Sequence, residues 1–147
     1  MGDNLSYRKF LEWFGNYSFT QTKDYYKLKN CVSKVKEFIP DSEIEFFYPQ
    51  NLLVEDSDTD LIFLTKTKFI RISGSETKTF FEVFKLKDII DFNFEVSEEF
   101  GIENVLLNIH FTNHRHLTFN NTVDTNKHWQ NSFRAKIKGI YKMLIND

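Results

Sequence analysis

A β-hairpin signal in the middle of the chain constrains the fold more than any other feature of the sequence. Apolar residues alternate on both sides of the dipeptide Lys66-Thr67, with Leu61 and Phe63 before it and Ile70 and Ile72 after it. With that dipeptide as a two-residue turn, Leu61 pairs with Ile72. Phe63 then pairs with Ile70, so all four side chains point to one face. We expect this face to line the shared interior of a sheet-based fold.

The opposite face of the same hairpin is also largely apolar, since it carries Ile62, Leu64 and Phe69 beside Arg71. A solvated outer face would rarely show three apolar residues of four. We therefore expect a cover over this face, which we extend to Phe81 of the next strand. Helices preceding the hairpin would supply this cover, and another subunit would serve equally well.

Composition bounds the number of domains and the class of partner. A chain of 147 residues suits one domain, and at this length roughly 68–70% of the unfolded surface can be buried. The net charge is −2, and neither half is basic enough to indicate nucleic-acid binding. The single cysteine, Cys31, cannot form an internal disulfide, and no apolar run approaches the ~18 residues of a membrane span. We expect a cytoplasmic protein that binds no nucleic acid.

Two helices are predicted before the first strand. Apolar residues between positions 3 and 14 fit a short amphipathic helix. A second helix ends at Pro40 and has an apolar stripe with i, i+4, i+7, i+11 spacing, formed by Leu28, Val32, Val35 and Ile39. Cys31 lies on this stripe and is predicted to be a core residue. We assign 1–40 to an N-terminal helical extension and 41–147 to the sheet domain.

Six or seven short strands are predicted in all, because apolar and polar residues alternate in each. Besides the central hairpin they cover residues 44–48, 78–86, 92–96, 105–111 and 117–119. The turn-forming residues that begin at Pro49 are expected to close the first of them. The acidic stretch from Glu98 to Gly101 is expected to form a loop.

The last two strands connect through a loop whose length decides their register. A three-residue loop, Asn113 to Arg115, pairs Phe111 with Leu117, whereas a two-residue turn would put Leu117 on the wrong face. A helix from about Thr125 to Ile145 follows, capped by Asp124 or Thr125. Its apolar stripe is expected to face the sheets, and Gly139 would allow close approach. Its exposed side is predicted to be basic, with Lys127, Arg134, Lys136, Lys138 and Lys142.

Two segments carry a resemblance to a known family. The hairpin Leu61-Ile62-Phe63-Leu64-Thr65-Lys66-Thr67-Lys68-Phe69-Ile70 resembles that of small bacterial pleckstrin-homology-like (PH-like) domains, and Phe84-Lys85-Leu86-Lys87-Asp88-Ile89 resembles the step that follows it. The predicted order of six or seven antiparallel strands followed by one C-terminal amphipathic helix is similar to the layout of these domains as well. These relatives are the kind found in uncharacterised proteins of low-GC Gram-positive bacteria. The resemblance covers about Glu43 to Leu144 and implies two nearly orthogonal sheets closed by the last helix, but no reaction.

Three basic residues of the central hairpin form the candidate ligand site. Some eukaryotic relatives of these proteins bind phosphoinositides through basic residues around their first hairpin, and Lys66, Lys68 and Arg71 lie in such a hairpin. The resemblance implies that these side chains would hold a phosphate through charge-assisted hydrogen bonds. The competing interpretation is that lysines at a turn only solubilise the chain.

The acidic stretch before the central hairpin resembles a calcium-binding loop only in part. Asp56, Asp58 and Asp60 have the spacing that opens an EF-hand loop. Leu61 stands where that loop requires glycine, however, and Thr67 stands where it requires a bidentate glutamate. A solvated, charged connection is the better interpretation of this stretch.

Zinc and catalytic sites are weakly indicated. His110, His114 and His116 cluster near the last hairpin, with His110 and His116 as diagonal neighbours, but no further ligand at a fixed spacing completes a zinc site. No nucleophile elbow, phosphate-cradling glycine loop or metalloprotease helix is present in the sequence. We expect no metal, no cofactor and no enzyme activity, with a small hydrolase as the weakest hypothesis.

The sequence therefore predicts an α+β fold, a PH-like antiparallel β-sandwich or barrel of six or seven strands. A C-terminal capping helix closes it, and a two-helix extension precedes it. We expect a non-catalytic protein-interaction or scaffold module with a protein partner, and a second copy of the chain is a further candidate. The alternative is a peripheral binder of an anionic lipid headgroup or another anionic ligand through Lys66, Lys68 and Arg71.

Overall fold

The computed structural model describes residues 5–15, 25–75 and 77–146, apart from the side chain of Tyr26. The α-helices of these residues are α1 (Tyr7–Phe14), α2 (Tyr25–Phe38) and α3 (Gln130–Ile145). Their strands are β1 (Phe46–Gln50), β2 (Asp60–Leu64), β3 (Lys68–Gly74), β4 (Thr79–Lys85), β5 (Ile89–Glu99), β6 (Ile102–Phe111) and β7 (Arg115–Asn120). Short 3-10 helices at Asp41–Glu43, Leu86–Asp88 and Lys127–Trp129 were not expected from the sequence and change the helix count.

The strands form two antiparallel sheets. Sheet 1 has the order β1-β2-β3-β4, and sheet 2 has the order β5-β6-β7. Helix α3 follows the last strand and packs against β1, β6 and β7, so it contacts both sheets. The α+β class, the antiparallel pairing and the C-terminal helix agree with the sequence prediction.

The register predicted for the central hairpin is confirmed. Leu61 pairs with Ile72, and Phe63 pairs with Ile70. The backbone N–H of Thr65 donates to the carbonyl oxygen of Lys68 at 2.9 Å and closes the turn. This hairpin is formed by β2 and β3, so it is the second strand pair of sheet 1 and not the first.

One face of sheet 1 packs against sheet 2, and it is the face that carries Ile62, Leu64 and Phe69. The Phe69 ring lies 6.3 Å from the ring of Phe111 in β6. All three side chains of this face are at most 2% exposed. The prediction that this face lies on the outside of the sheets is wrong.

The face that carries Leu61, Phe63, Ile70 and Ile72 is covered by the N-terminal helices. The Tyr7 ring of α1 lies 5.0 Å from the Phe63 ring. Helix α2 contacts the same face, because its Phe38 ring lies 5.2 Å from Phe81 of β4. Phe81 pairs with Ile72, so it also belongs to this face and not to the opposite one. Where both faces are apolar, alternation fixes register but cannot say which face each neighbouring layer will cover.

Helix α2 approaches β3 closely at Gly74. A Cβ atom at this position would lie 2.8 Å from the Sγ atom of Cys31, so a larger residue would clash. Cys31 is buried, as predicted, and burial raises the pKa of its thiol to about 11. A thiol that stays protonated at neutral pH is a poor nucleophile. Residues of α1, α2 and the sheets share one core, and the proposed boundary between 1–40 and 41–147 stays a prediction.

Two strands extend further than predicted. Pro49 lies inside β1, paired with Leu61, and does not end the strand. β1 is at the edge of sheet 1, where the missing N–H of a proline is tolerated. β5 continues to Glu99, which pairs with Ile102, so the loop predicted for Glu98 to Gly101 is reduced to a turn at Phe100 and Gly101.

The loop between β6 and β7 has the predicted length but begins one residue earlier. It consists of Thr112 to His114, and Phe111 pairs with Arg115 instead of Leu117. Asn113 and His114 adopt positive φ angles of 63° and 60°, which places the turn on them. The pairing shifts by two residues, so the apolar face is kept while each predicted pair is wrong.

The C-terminal helix begins at Gln130, later than predicted, and Asp124 does not cap it. Lys136, which the sequence places on the exposed basic side, is 1% exposed. Its Nζ atom donates to the carbonyl oxygen of Leu5 and lies 5.7 Å from the centre of the Phe47 ring. Gly139 packs against Phe46, as predicted, because a Cβ atom would lie 2.6 Å from that ring.

Candidate functional site

β4 is an edge strand of sheet 1, paired with β3 on one side only within the described residues. The carbonyl oxygen of Val83 points away from β3, because it accepts a hydrogen bond from Nη1 of Arg115 at 3.0 Å. In an antiparallel strand, alternate residues turn their N–H and C=O groups to the same side. Thr79 and Phe81 therefore present their backbone groups outward together with Val83.

Exposed apolar side chains flank this edge on both faces of the sheet. Phe80 is 59% exposed on the face that packs against sheet 2, and Val83 is 41% exposed on the face that packs against the helices. Phe38 of α2 is 60% exposed beside Phe81. We call the set Phe38, Thr79, Phe80, Phe81 and Val83 the β4 edge surface. The sequence shows the apolar residues of this strand, but strand order depends on contacts between distant segments and cannot be read from them.

A cleft lies between α2 and β4 next to this edge. Its volume is about 460 Å³, and its lining includes Lys34, Glu37 and Phe38 from α2 with Thr79 and Phe81 from β4. The cleft is open to solvent and has both charged and aromatic walls. It is of a size to take one or two side chains of a segment lying along β4.

Other strand edges carry features that oppose strand addition. β1 contains Pro49, which lacks an N–H group. The side chain of Gln50 in β1 donates to the carbonyl oxygen of Thr118 in β7 at 2.7 Å, which occupies part of the β7 edge. β5 exposes Asp91 and Glu95. Charges and prolines of this kind protect edges, and β4 lacks them between Thr79 and Phe81.

The three predicted ligand-binding residues do not converge. Arg71 Nη2 lies 2.8 Å from Glu82 Oε1, and its guanidinium lies 5.3 Å from the Phe84 ring centre, so it is engaged within the sheet. Lys66 and Lys68 lie at the turn, away from that ion pair. Lys68 instead pairs directly with Lys85, at the opposite strand position.

Two further lysines, which the sequence pattern does not indicate as ligands, lie together with Lys68. The 3-10 helix after β4 brings Lys87 beside Lys85. Together with Lys68 they line a groove of about 420 Å³, which also includes Thr67 and Leu86. We call this site the lysine groove. The sequence does not indicate this groove, because positions 68 and 85 come together only through the pairing of β3 with β4.

The histidine cluster does not form a metal site. His110 and His116 are paired directly across β6 and β7, not diagonally as predicted. His110 Nδ1 lies 2.7 Å from Asp91 Oδ1, so its ring is held by a carboxylate. Across the described part of the chain, no group of three His, Cys, Asp or Glu side chains is arranged to hold a metal ion.

A buried polar network joins β1 to the segment before α3. The Tyr48 hydroxyl donates to Asp124 Oδ2 at 2.6 Å, and the Asn120 N–H donates to the same oxygen at 2.9 Å. Burial raises the pKa of the Asp124 carboxyl, although these hydrogen bonds act in the opposite direction. Burial and the adjacent Asp124 also raise the pKa of Tyr48 well above its usual range. The groups satisfy one another inside the core, which is the arrangement of a structural network.

A family model describing a protein of unknown function, DUF3908, matches residues 6–135 of the chain. The chain belongs to the DUF3908 family. The DUF3908 match includes the N-terminal helices, both sheets and the residues of the β4 edge surface and the lysine groove. Neither the curated proteins nor the solved structures contain a match to this chain. Among the described residues of this DUF3908 protein, no helix has the length and apolar character needed to cross a membrane.

Proposed function

We propose that this protein is a non-catalytic interaction module that binds an extended segment of a partner protein along β4. The observation that carries the proposal is the edge position of β4 combined with exposed apolar side chains on both of its flanks. An added strand would form backbone hydrogen bonds with Thr79, with Phe81 and with the N–H of Val83, whose carbonyl oxygen is taken by Arg115. Such bonds give affinity in β-strand addition, and pockets for alternate side chains give specificity.

The flanking side chains favour an apolar segment. A strand laid beside β4 places successive side chains on opposite faces of sheet 1. One set would meet Phe80, and the other would meet Val83 and the aromatic wall formed by Phe38 and Phe81. Lys34 and Glu37 at the cleft provide one charge of each sign, so polar residues of the partner segment would be selected there.

We extend the proposal to the fold family and to the cellular location of the protein. We infer a PH-like sandwich, since two antiparallel sheets of four and three strands are followed by a C-terminal helix. We place the protein in the bacterial cytoplasm, where a single buried cysteine such as Cys31 remains reduced. The apolar face that raised the expectation of a second subunit packs against sheet 2, and α1 and α2 cover the opposite face of sheet 1, so we favour a different protein as the partner.

Peptide selection tests the proposal and requires no candidate partner. A displayed library of random linear peptides is selected against the full chain, and dissociation constants of selected peptides are measured by fluorescence polarisation. We expect alternating apolar residues in the selected peptides. Val83→Pro removes an outward N–H group and should weaken binding by about tenfold, whereas the matched control Val83→Thr keeps that group and should bind within about twofold.

A second pair of variants tests the position of the surface. Phe80→Ser should weaken binding, because it removes an exposed ring beside β4. Phe100→Ser removes a ring that is 100% exposed at the distant β5–β6 turn, so it should leave binding unchanged. Loss of binding in Phe100→Ser with retention in Phe80→Ser and Val83→Pro would move the site to that turn and contradict the proposal.

The oligomeric state separates a foreign partner from a second copy. We expect light scattering after size-exclusion chromatography to give a monomer. A dimer that Val83→Pro dissociates would mean that the added strand comes from another copy of this chain, and the proposed partner would be wrong.

A further inference from the structure

We propose that the lysine groove binds a phosphate-bearing anion. The site is independent of the proposed peptide surface, since it lies at the end of sheet 1 formed by the β2–β3 turn and the end of β4. The connections between β1 and β2 and between β3 and β4 lie at the opposite end, because the strands alternate in direction. The proposal therefore stands or fails separately from the proposed function.

The groove brings like charges together within the fold. Lys68 and Lys85 are direct partners on adjacent antiparallel strands, which is an unfavourable arrangement for two cations. Lys87 lines the same groove from the following 3-10 helix, whereas Lys66, in the β2–β3 turn, is not part of the lining. A bound anion would relieve this repulsion.

The charges in the groove are not neutralised by the surrounding structure. Within the described residues, Lys66, Lys68, Lys85 and Lys87 form no ion pair. Lysines elsewhere in the structure do form ion pairs: Lys27 lies 2.8 Å from Asp58, and Lys138 lies 2.5 Å from Glu103. Asp88, the acidic residue of the adjacent 3-10 helix, does not line the groove.

The chemistry of the lining favours phosphate. Lysine ammonium groups bind phosphate as mobile point charges with three donors each. Three of them around one groove match a ligand carrying two or more negative charges. The Thr67 side chain is exposed at the same site and adds a hydroxyl donor, while Leu86 provides an apolar wall.

Tripolyphosphate is the probe for a soluble ligand. Isothermal titration of the full chain is compared with the double variant Lys85→Gln/Lys87→Gln and with the control Lys127→Gln/Lys142→Gln, which has the same net charge. We expect the first variant to bind roughly tenfold more weakly or worse and the control to bind within about twofold of the parent. Equal losses in both variants would show nonspecific charge attraction and overturn the proposal.

Vesicles distinguish a lipid source of the same chemistry. Flotation uses phosphatidylcholine vesicles with and without a phosphatidylglycerol component, at low and high salt. Groove-dependent flotation without tripolyphosphate binding would assign the phosphate to a lipid headgroup, and the reverse result would assign it to a soluble molecule. Absence of binding to both probes would overturn the proposal. Thermal melts of all variants verify that the substitutions leave the fold intact.

Discussion

Arg115 of β7 caps the outward carbonyl oxygen of Val83 in β4, with a distance of 3.0 Å from Nη1 to that oxygen. The same guanidinium lies 4.0 Å from the centre of the Phe84 ring. This side chain therefore joins sheet 2 to the free edge of sheet 1. It also covers one end of the β4 edge surface and leaves Thr79 and Phe81 open.

Replacement of Arg115 by alanine is expected to lower the free energy of unfolding by roughly 1–2 kcal/mol. One exposed hydrogen bond and one cation–π contact are lost, and each contributes about 0.5–1 kcal/mol. Urea denaturation measures the change. Arg8→Ala, at an exposed position of α1, serves as the control and should stay within about 0.5 kcal/mol of the parent. Equal effects of both substitutions would show that Arg115 has no special part at the edge.

Amide hydrogen exchange should alternate along β4. The N–H groups of Phe80, Glu82 and Phe84 face β3 and should be protected. Those of Thr79, Phe81 and Val83 face outward and should exchange much faster. Two-dimensional NMR of the free protein measures both sets. Uniform protection along the strand would mean that the edge is already paired in solution.

Lys85→Glu is expected to raise the free energy of unfolding of the ligand-free protein by about 0.2–1 kcal/mol. The substitution replaces a like-charge pair with Lys68 by an opposite-charge pair on directly opposed strand positions. Chemical denaturation at low salt provides the measurement, and high salt should reduce the gain. Lys78→Glu, at the exposed β3–β4 turn, is the comparison and should change stability less.

The Asp124 network gives stability a defined pH dependence. The folded pKa of this carboxyl is raised above its ordinary value of 3.8, so the folded chain binds the proton more tightly than the unfolded chain. Stability contributed by Asp124 is therefore largest at acid pH and falls as pH rises from 3.8 through the folded pKa. Asp124→Asn lacks this titration and should cost about 1–3 kcal/mol at acid pH.

Denaturation of the parent and of Asp124→Asn across this pH window tests the sign. We expect the advantage of the parent to shrink as pH rises and then to become constant. Asp60, whose pKa burial also raises, is present in both proteins and cancels in the comparison. An advantage that grows with pH would mean that the network holds the carboxyl ionised.

The sequence predicts local pairing better than it predicts layers. The Lys66-Thr67 turn and the alternation around it determine the β2–β3 register, because a shift of one residue would reverse both faces. Both faces are apolar, however, so alternation does not show which face the N-terminal helices cover. The contacts of Tyr7 with Phe63 and of Phe10 with Phe47 in the structure show that it is the face of Phe63. The burial of Lys136 was missed for a related reason, since a long aliphatic stem can enter a core when a distant carbonyl accepts from its amine.

The candidate surfaces show the same limit. Lys66 and Lys68 are close in the sequence, so the sequence alone indicates them as candidate ligands. Lys85 comes next to Lys68 only through the β3–β4 register. Arg71 is close to Lys66 and Lys68 in the sequence, but its ion pair with Glu82 on the next strand holds it away from the turn. The exposed edge of β4 depends on strand order, which no local pattern encodes.

The contact between Lys136 and Leu5 joins positions 131 residues apart. The edge-on contact of the Trp13 and Trp129 rings, 6.3 Å between centres, joins the same two regions. Because a ribosome adds residues in order, the N-terminal segment can make the contact between Leu5 and Lys136 only after position 136 has been translated. The packing of α1 is therefore completed only after the segment that begins α3 has been synthesised.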